Sequence, residues 1–179
     1  METRRIKHGT HQYGVVKKLF ERAFPKAERL PMCLLLLLAR RKGVDFEAYY
    51  DDDSFCGFSY VVENDDLVFI LYLAVNDEIR SRGYGSRILE CVKAKAGERP
   101  IVLDIEPLDP NAENYEQRKR RLAFYEKNGY FNTGLILRES KEKYSILATV
   151  EGLDAKKLGE LLRGFSFGLS QMRIEQGFN

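Results

Sequence analysis

Residues 67 to 87 constrain this chain more than any other stretch. Leu-Val-Phe-Ile-Leu-Tyr-Leu-Ala-Val runs without a charge from Leu67 to Val75, behind the turn signal Asn64-Asp65-Asp66. An apolar run of that length, so bounded, reads as a strand covered on both faces. A basic loop follows, Arg80-Ser81-Arg82-Gly83-Tyr84-Gly85-Ser86-Arg87. It opens a helix over Gly83 to Ala96, with Tyr84, Ile88, Cys91 and Val92 on one face and Gly97 as its stop. A buried strand that passes through such a loop into a helix makes an anion site. The first-turn N–H groups lack intrahelical acceptors, and the helix dipole adds about half a positive charge there. Gly83 and Gly85 allow close backbone approach. Arg80, Arg82 and Arg87 supply forked positive charge suited to phosphate.

Two other phosphate-binding patterns are excluded. The chain has no G-x-x-x-x-G-K-[ST] segment, and Gly83-x-Gly85-x-x-Ile88 lacks the third glycine of G-x-G-x-x-G. Lys+Arg of 29 against Asp+Glu of 27 leaves a net charge of +2, so any anion site is local and bulk charge points to no nucleic acid. Cys33, Cys56 and Cys91 form no CxxC, and only two histidines are present, so zinc-type spacing is missing and no metal is expected. Three reduced thiols fit a cytoplasmic protein. Met1 to Arg5 has no apolar segment of the signal-peptide kind. Cys33 to Ala39 falls short of the ~20 residues of a membrane span and reads as a buried helix segment.

The other elements alternate. Arg4 to Lys7 reads as a strand. His11 to Phe24 is an amphipathic helix with Val15, Val16, Leu19, Phe20 and Ala23 inward, ended by Pro25. Pro31 opens a second helix, Met32 to Lys42. Phe46 to Tyr50, Phe55 to Glu63 and Leu67 to Val75 form an antiparallel meander, with Asp51-Asp52-Asp53 as hairpin turn residues. Pro100 to Glu106 is a strand, Asn114 to Asn128 a helix with Tyr115, Leu122 and Tyr125 inward, and Tyr130 to Arg138 with Lys143 to Thr149 a final hairpin. Asp154 caps a last helix carrying Leu158, Leu161 and Leu162, halted by Gly164. The order predicts an α/β (α+β) fold: a mixed, mostly antiparallel central sheet with one parallel pair and helices on both faces.

Two segments resemble a known family. Arg80-x-x-Gly83-x-Gly85, placed after the apolar strand, is similar to the Q/R-x-x-G-x-G/A signature of the GNAT N-acetyltransferase superfamily. Leu122-Ala-Phe124-Tyr125-Glu-Lys-Asn-Gly129-Tyr130 resembles its L-x-F-Y-x-x-x-G-F/Y segment. With the element order, the likeness runs from Arg4 to Val150. It implies a GNAT domain over residues 1–150, with 151–179 a helical extension packed on that domain or on a partner subunit as a homodimer.

The resemblance implies acetyl-CoA as co-substrate, without a metal. Main-chain groups of Leu73, Ala74 and Val75 then hold the pantetheine arm. The strand splays from its parallel neighbour, Ile101 to Glu106, into a V-shaped cleft. Arg80, Ser81, Arg82, Gly83, Tyr84, Gly85 and Ser86 hold the pyrophosphate. The family often has an asparagine seven residues before the tyrosine. Arg118 stands there, and Asn114 is the nearest asparagine. Direct attack by a primary amine of a small molecule or peptide needs a proton donor for the thiolate. Tyr125 suits that role, since phenol and thiol titrate near ~10 and ~8.5. Glu106 and Glu28 are the acids placed to take the amine proton, ahead of His8 and His11. The alternative is a non-catalytic acyl-CoA-binding module with the same loop. A third reading, RNA binding by Gln117-Arg118-Lys119-Arg120-Arg121, competes with a solvated helix face, because successive helical residues point about 100° apart. Leu34 to Leu38 is either core or the apolar wall of an acceptor pocket. No membrane partner is expected.

Overall fold

Asp51-Asp52-Asp53-Ser54 turns the chain between two apolar strands of an eight-stranded sheet. The structure, a computed structural model, describes residues 1–79, 82–140, 142–166 and 172–177. They fall into two compact units. Met1–Val62 with Ile70–Gly97 forms one, and Glu63–Phe69 with Glu98–Asn179 the other.

In the first unit β1 (Glu2–Arg5), β2 (Val44–Asp51), β3 (Ser54–Glu63) and β4 (Val68–Val75) are neighbours in that order. β1 and β2 are antiparallel, as are β2 and β3. β1 lies two residues earlier than the pattern suggested; Ile6, just past its end, is buried and its amide still donates to the Phe46 carbonyl at 2.9 Å. Helix α1 (His11–Ala23) buries Val16, Leu19 and Phe20 at i, i+3, i+4 spacing, whereas Val15 is half-buried and Ala23, expected inward, is exposed at the last turn. The Phe20 ring meets Tyr72 edge-on at 4.9 Å, and Phe24 meets Tyr72 at 5.0 Å. Phe46, Phe58 and Tyr60 extend this cluster. Each such pair contributes about 0.5–1.5 kcal/mol beyond the area it buries. Helix α2 (Met32–Leu38) stops four residues short of the expected Lys42. Arg5 explains the stop. Its guanidinium donates to the Ala39 carbonyl at 2.6 Å and the Val44 carbonyl at 3.2 Å, so the backbone beyond Leu38 is held outside the helix. Leu35 and Leu38 are core, whereas Leu34 and Leu37 face solvent. Helix α3 (Tyr84–Ala96) buries Tyr84, Gly85, Ile88, Leu89, Val92 and Ala96.

The second unit takes up the start of β4. Val68 N–H donates to the Pro100 carbonyl at 2.9 Å, where β4 enters beside β5 (Ile101–Ile105), its one parallel neighbour. Beyond β5 come β7 (Glu142–Ala148), β6 (Phe131–Glu139) and β8 (Arg173–Gln176), all antiparallel. Helix α4 (Tyr115–Lys127) buries only Tyr125 fully, leaving Tyr115 and Leu122 half-buried. Helix α5 (Ala155–Phe165) is capped as expected, Asp154 accepting from the Lys156 and Lys157 amides at 2.9 and 3.3 Å. It runs through Gly164 rather than halting there, because Phe165 continues the buried stripe of Leu158, Leu161 and Leu162. The tail adds β8 to the edge of β6, with Arg138 bonded to Glu175 at 2.9 Å. Of its other apolar residues, Phe167 and Leu169 lie outside the described residues. No described helix is long and apolar enough to cross a membrane.

Candidate active site

β4 and the start of α3 bring the loop's candidate residues together in the first unit. Gly57 on β3 sets their position. A Cβ there would stand 2.3 Å from the Ala74 carbonyl oxygen and 3.1 Å from the Val75 Cα. Only glycine permits that approach, so β3 presses directly against the backbone of Ala74 and Val75. Just beyond, the Asn76 amide donates to the Cys56 carbonyl at 2.8 Å, and its side chain donates to the Phe55 carbonyl at 3.0 Å. Leu73 and Val75 pack against Tyr49, Cys56, Tyr84 and Ile88.

Gly83 opens α3 with φ of 74°, a left-handed conformation open to glycine at little cost. Gly83, at the N-cap, brings no side chain to cap the helix. The first acceptor bond runs from the Arg87 amide to the Gly83 carbonyl, at 3.1 Å. The amides of Tyr84, Gly85 and Ser86 therefore precede the intrahelical ladder, the arrangement that receives phosphate. Arg82 is exposed beside them. Arg80 and Ser81 lie outside the described residues.

The third cation read into this loop has another task. Arg87 grips both oxygens of Asp51 at 2.8 and 2.9 Å, and the Tyr84 hydroxyl donates to the same carboxylate at 3.1 Å. The Arg87 bonds, helped by Tyr84 and opposed by partial burial, hold the Asp51 carboxyl down at about 2. Asp51, read from sequence as a turn residue, is thus the anchor that fixes the α3 N-terminus to β2. A register shift between Tyr49 and Tyr50 breaks the strand alternation just ahead of it.

Glu28 sits on an exposed turn whose backbone is tied to β4. The Tyr72 hydroxyl donates to the Glu28 carbonyl at 2.8 Å and accepts from the Leu30 amide at 3.1 Å. Arg22 adds a second tie, an ion pair with Asp77 at 2.6 Å and with Glu78 at 3.4 Å.

The remaining candidates lie in the second unit. Glu106 follows β5 and has both oxygens engaged. Asn114 donates to Oε1 at 3.0 Å, Arg118 lies 3.1 Å from the same atom, and Arg121 reaches Oε2 at 2.8 Å. Arg118 also donates to the Asn114 side-chain oxygen at 2.7 Å and the Pro107 carbonyl at 2.8 Å. Asn114 and Arg118 are therefore members of one network, and two of the four cations of the 117–121 run are spent on Glu106. Tyr125 is buried on α4, its ring 5.6 Å from that of Tyr130. Burial pushes its hydroxyl up to about 12, against the opposite pull of Arg121. No group of three or more His, Cys, Asp or Glu able to hold a metal occurs among the described residues. Sequence reasoning passed over Gly57 and Asp51. The available signals were a glycine inside an apolar strand and an acid at the strand end facing a basic helix start.

The acetyltransferase (GNAT) domain profile matches residues 42–131, just over half of the chain. YjbC of Bacillus subtilis (strain 168), assigned as an acetyltransferase, is 29% identical over 84 residues, which are 47% of this chain and 41% of that protein. The chain thus matches less than half the length of that curated relative. A solved GNAT-family structure from Bacteroides thetaiotaomicron, also assigned as an acetyltransferase, superposes with a TM-score of 0.72 at 25% identity, covering 94% of this chain and 97% of that one. An aminoglycoside 6'-N-acetyltransferase complexed with coenzyme A shares the fold with a TM-score of 0.64 at 17% identity, covering 86% of this chain and all of the other.

Proposed function

The chain belongs to the GNAT acetyltransferase family, and on that premise we propose that it transfers an acetyl group from acetyl-CoA to a primary amine of a small molecule or peptide, by direct attack in a ternary complex. One observation carries the reading: an α3 N-terminus with glycine at its cap, opened by left-handed Gly83 and anchored to β2 through Asp51, next in the chain after the strand and short turn that end at Ile79. The Tyr84, Gly85 and Ser86 amides and the Arg82 side chain receive the pyrophosphate, joined by Arg80 and Ser81. Main-chain groups of Leu73, Ala74 and Val75 receive the pantetheine arm, and an N–H of Ala74 or Val75 faces the oxyanion that develops at the thioester.

Tyr125 donates to the leaving thiolate. Held near 12, its hydroxyl stays protonated at neutral pH and offers a permanent hydrogen bond. Complete proton transfer to a thiolate of pKa ~8.5 is uphill, so its contribution is stabilisation of the developing charge. Glu28, on the exposed turn that Tyr72 ties to β4, is the acid we assign to the amine proton; Glu106 accepts from Asn114 and Arg121 and is ion-paired with Arg118. Glu106 and Asn114 act by holding the start of α4. The three cysteines are free, which suits a reducing cytoplasm.

The engagement of Glu106 is also what favours the alternative, an acyl-CoA-binding module without turnover. Two measurements separate these readings. Calorimetric titration with acetyl-CoA is expected to give binding that Gly83→Pro abolishes, since proline cannot take a positive φ. Release of free CoA thiol across an amine panel is then expected for the enzyme and absent for the module. An absence of acetyl-CoA binding by the wild type removes both.

A further inference from the structure

Asn76 is the first residue after β4, and each of its polar groups is engaged. Its amide donates to the Cys56 carbonyl at 2.8 Å, and its Nδ2 donates to the Phe55 carbonyl at 3.0 Å. Its Oδ1 accepts from the Glu78 amide at 3.2 Å, and its carbonyl accepts from the Ile79 amide at 3.3 Å. The first two bonds tie the end of β4 to β3. The other two wind the next three residues, Asp77–Ile79, into a turn. An amide side chain accepts through its oxygen and donates through its nitrogen at once, so one half-buried residue serves both directions. The turn is seated as well. Ile79 packs with Leu73 and Val75 against Tyr49, Cys56, Tyr84 and Ile88, the last two from α3. Asp51 holds the start of α3 to β2, and Asn76 holds the end of β4 to β3. Separate anchors thus fix the two halves of one site, the strand main chain and the helix-start amides.

We propose that Asn76 is a positioning residue for the acyl donor: it places the main chain of Leu73, Ala74 and Val75 relative to the amides of Tyr84, Gly85 and Ser86, so that one CoA molecule meets both. The assignment rests on the acetyl-transfer reading and adds to it the residue that couples the two halves of the donor site.

Calorimetric titration of the full chain with two probes tests it. Acetyl-CoA spans both halves of the site, whereas 3′-phosphoadenosine 5′-diphosphate carries the phosphates without the pantetheine arm. Asn76→Ala removes both side-chain bonds and leaves the two backbone bonds. It is expected to weaken acetyl-CoA binding about tenfold and binding of the nucleotide fragment less than about twofold, because Asp51 still holds the helix start. Asn76→Ser keeps a hydroxyl able to accept from the Glu78 amide but too short to reach the Phe55 carbonyl, so its acetyl-CoA affinity is expected between those of Asn76→Ala and the wild type. A merely structural role lowers the unfolding midpoint and leaves the ratio of the two affinities at its wild-type value. That unchanged ratio in Asn76→Ala overturns the proposal, as does a ratio changed by the fragment alone. Should Asn76→Ala not fold, Asn76→Ser decides: a wild-type ratio there overturns the proposal, and a selective loss of acetyl-CoA affinity supports it. A wild type that does not bind acetyl-CoA refutes the acetyl-transfer reading and the proposal with it. Wild-type binding with an unchanged ratio in the variants refutes the role of Asn76 alone.

Discussion

Arg87 leaves the first turn of α3 and closes on both carboxylate oxygens of Asp51, at 2.8 and 2.9 Å. The bond joins the end of β2 to the start of a helix more than thirty residues away in sequence. It thereby orients the amides of Tyr84, Gly85 and Ser86 without occupying them. A side chain that looked like a phosphate ligand is a positioning residue for the amides we propose as phosphate ligands.

Asp51→Asn is therefore expected to destabilise the protein at neutral pH and to weaken acetyl-CoA binding several-fold. Because Asp51 titrates near 2 when folded and near ~3.9 when unfolded, its contribution is complete above about pH 4–5. It fades as pH falls from about 4 to about 2. Thermal midpoints of wild type and Asp51→Asn should differ at pH 7 and converge toward pH 2. A gap that stays constant over that range means the carboxylate charge is not what holds the helix.

Gly57→Ala places a Cβ where the Ala74 carbonyl oxygen stands only 2.3 Å away and the Ile88 Cδ1 2.9 Å away. Backbone cannot yield as a flexible side chain does, so the strand must move. Overpacking of this kind costs about 2–3 kcal/mol, a fall of roughly 4–12 °C in midpoint for a chain of this size. Acetyl-CoA affinity should drop with it, since Ala74 and Val75 shift. Gly164→Ala, with nothing within 4 Å, is the control, and its midpoint should hold or rise slightly. Equal behaviour of the two variants refutes the close-approach argument.

Local patterns carried the elements, and pairings across the chain escaped them. The α1 stripe and the Asp154 cap were legible because spacing and capping chemistry act within a few residues. The early end of α2 was not, because Arg5 imposes it from β1. β8 was missed since Arg173-Ile174-Glu175-Gln176 has one apolar residue and gains its shape from β6. At the site, the glycines and arginines of the loop announced an anion. Which arginine was already neutralised depended on Asp51, and the occupancy of Glu106 depended on α4.

Tyr125→Phe is expected to lower kcat by about 10²-fold while leaving acetyl-CoA affinity close to the wild type's. With the hydroxyl held near 12, it does not ionise in the working range. The wild-type pH–rate profile should therefore show no alkaline fall from this group below about pH 11, and the variant should be slower with a curve of the same shape. Unchanged turnover would remove Tyr125 from the chemistry.

Glu106→Gln separates support from catalysis. The side chain is 23% exposed, accepts from Asn114 and Arg121, and is ion-paired with Arg118. Glutamine keeps the shape but leaves two guanidiniums without their counter-charge, at a cost of about 1–2 kcal/mol once the partial exposure is discounted. The midpoint should fall by roughly 2–8 °C and kcat/KM by less than tenfold. Glu28→Gln should lower turnover by more and shift it toward higher pH, where more of the amine is already neutral, while the backbone tie of its turn to Tyr72 is kept. The opposite pair of results, a stable Glu106→Gln without turnover and a fully active Glu28→Gln, would transfer the role of proton acceptor to Glu106.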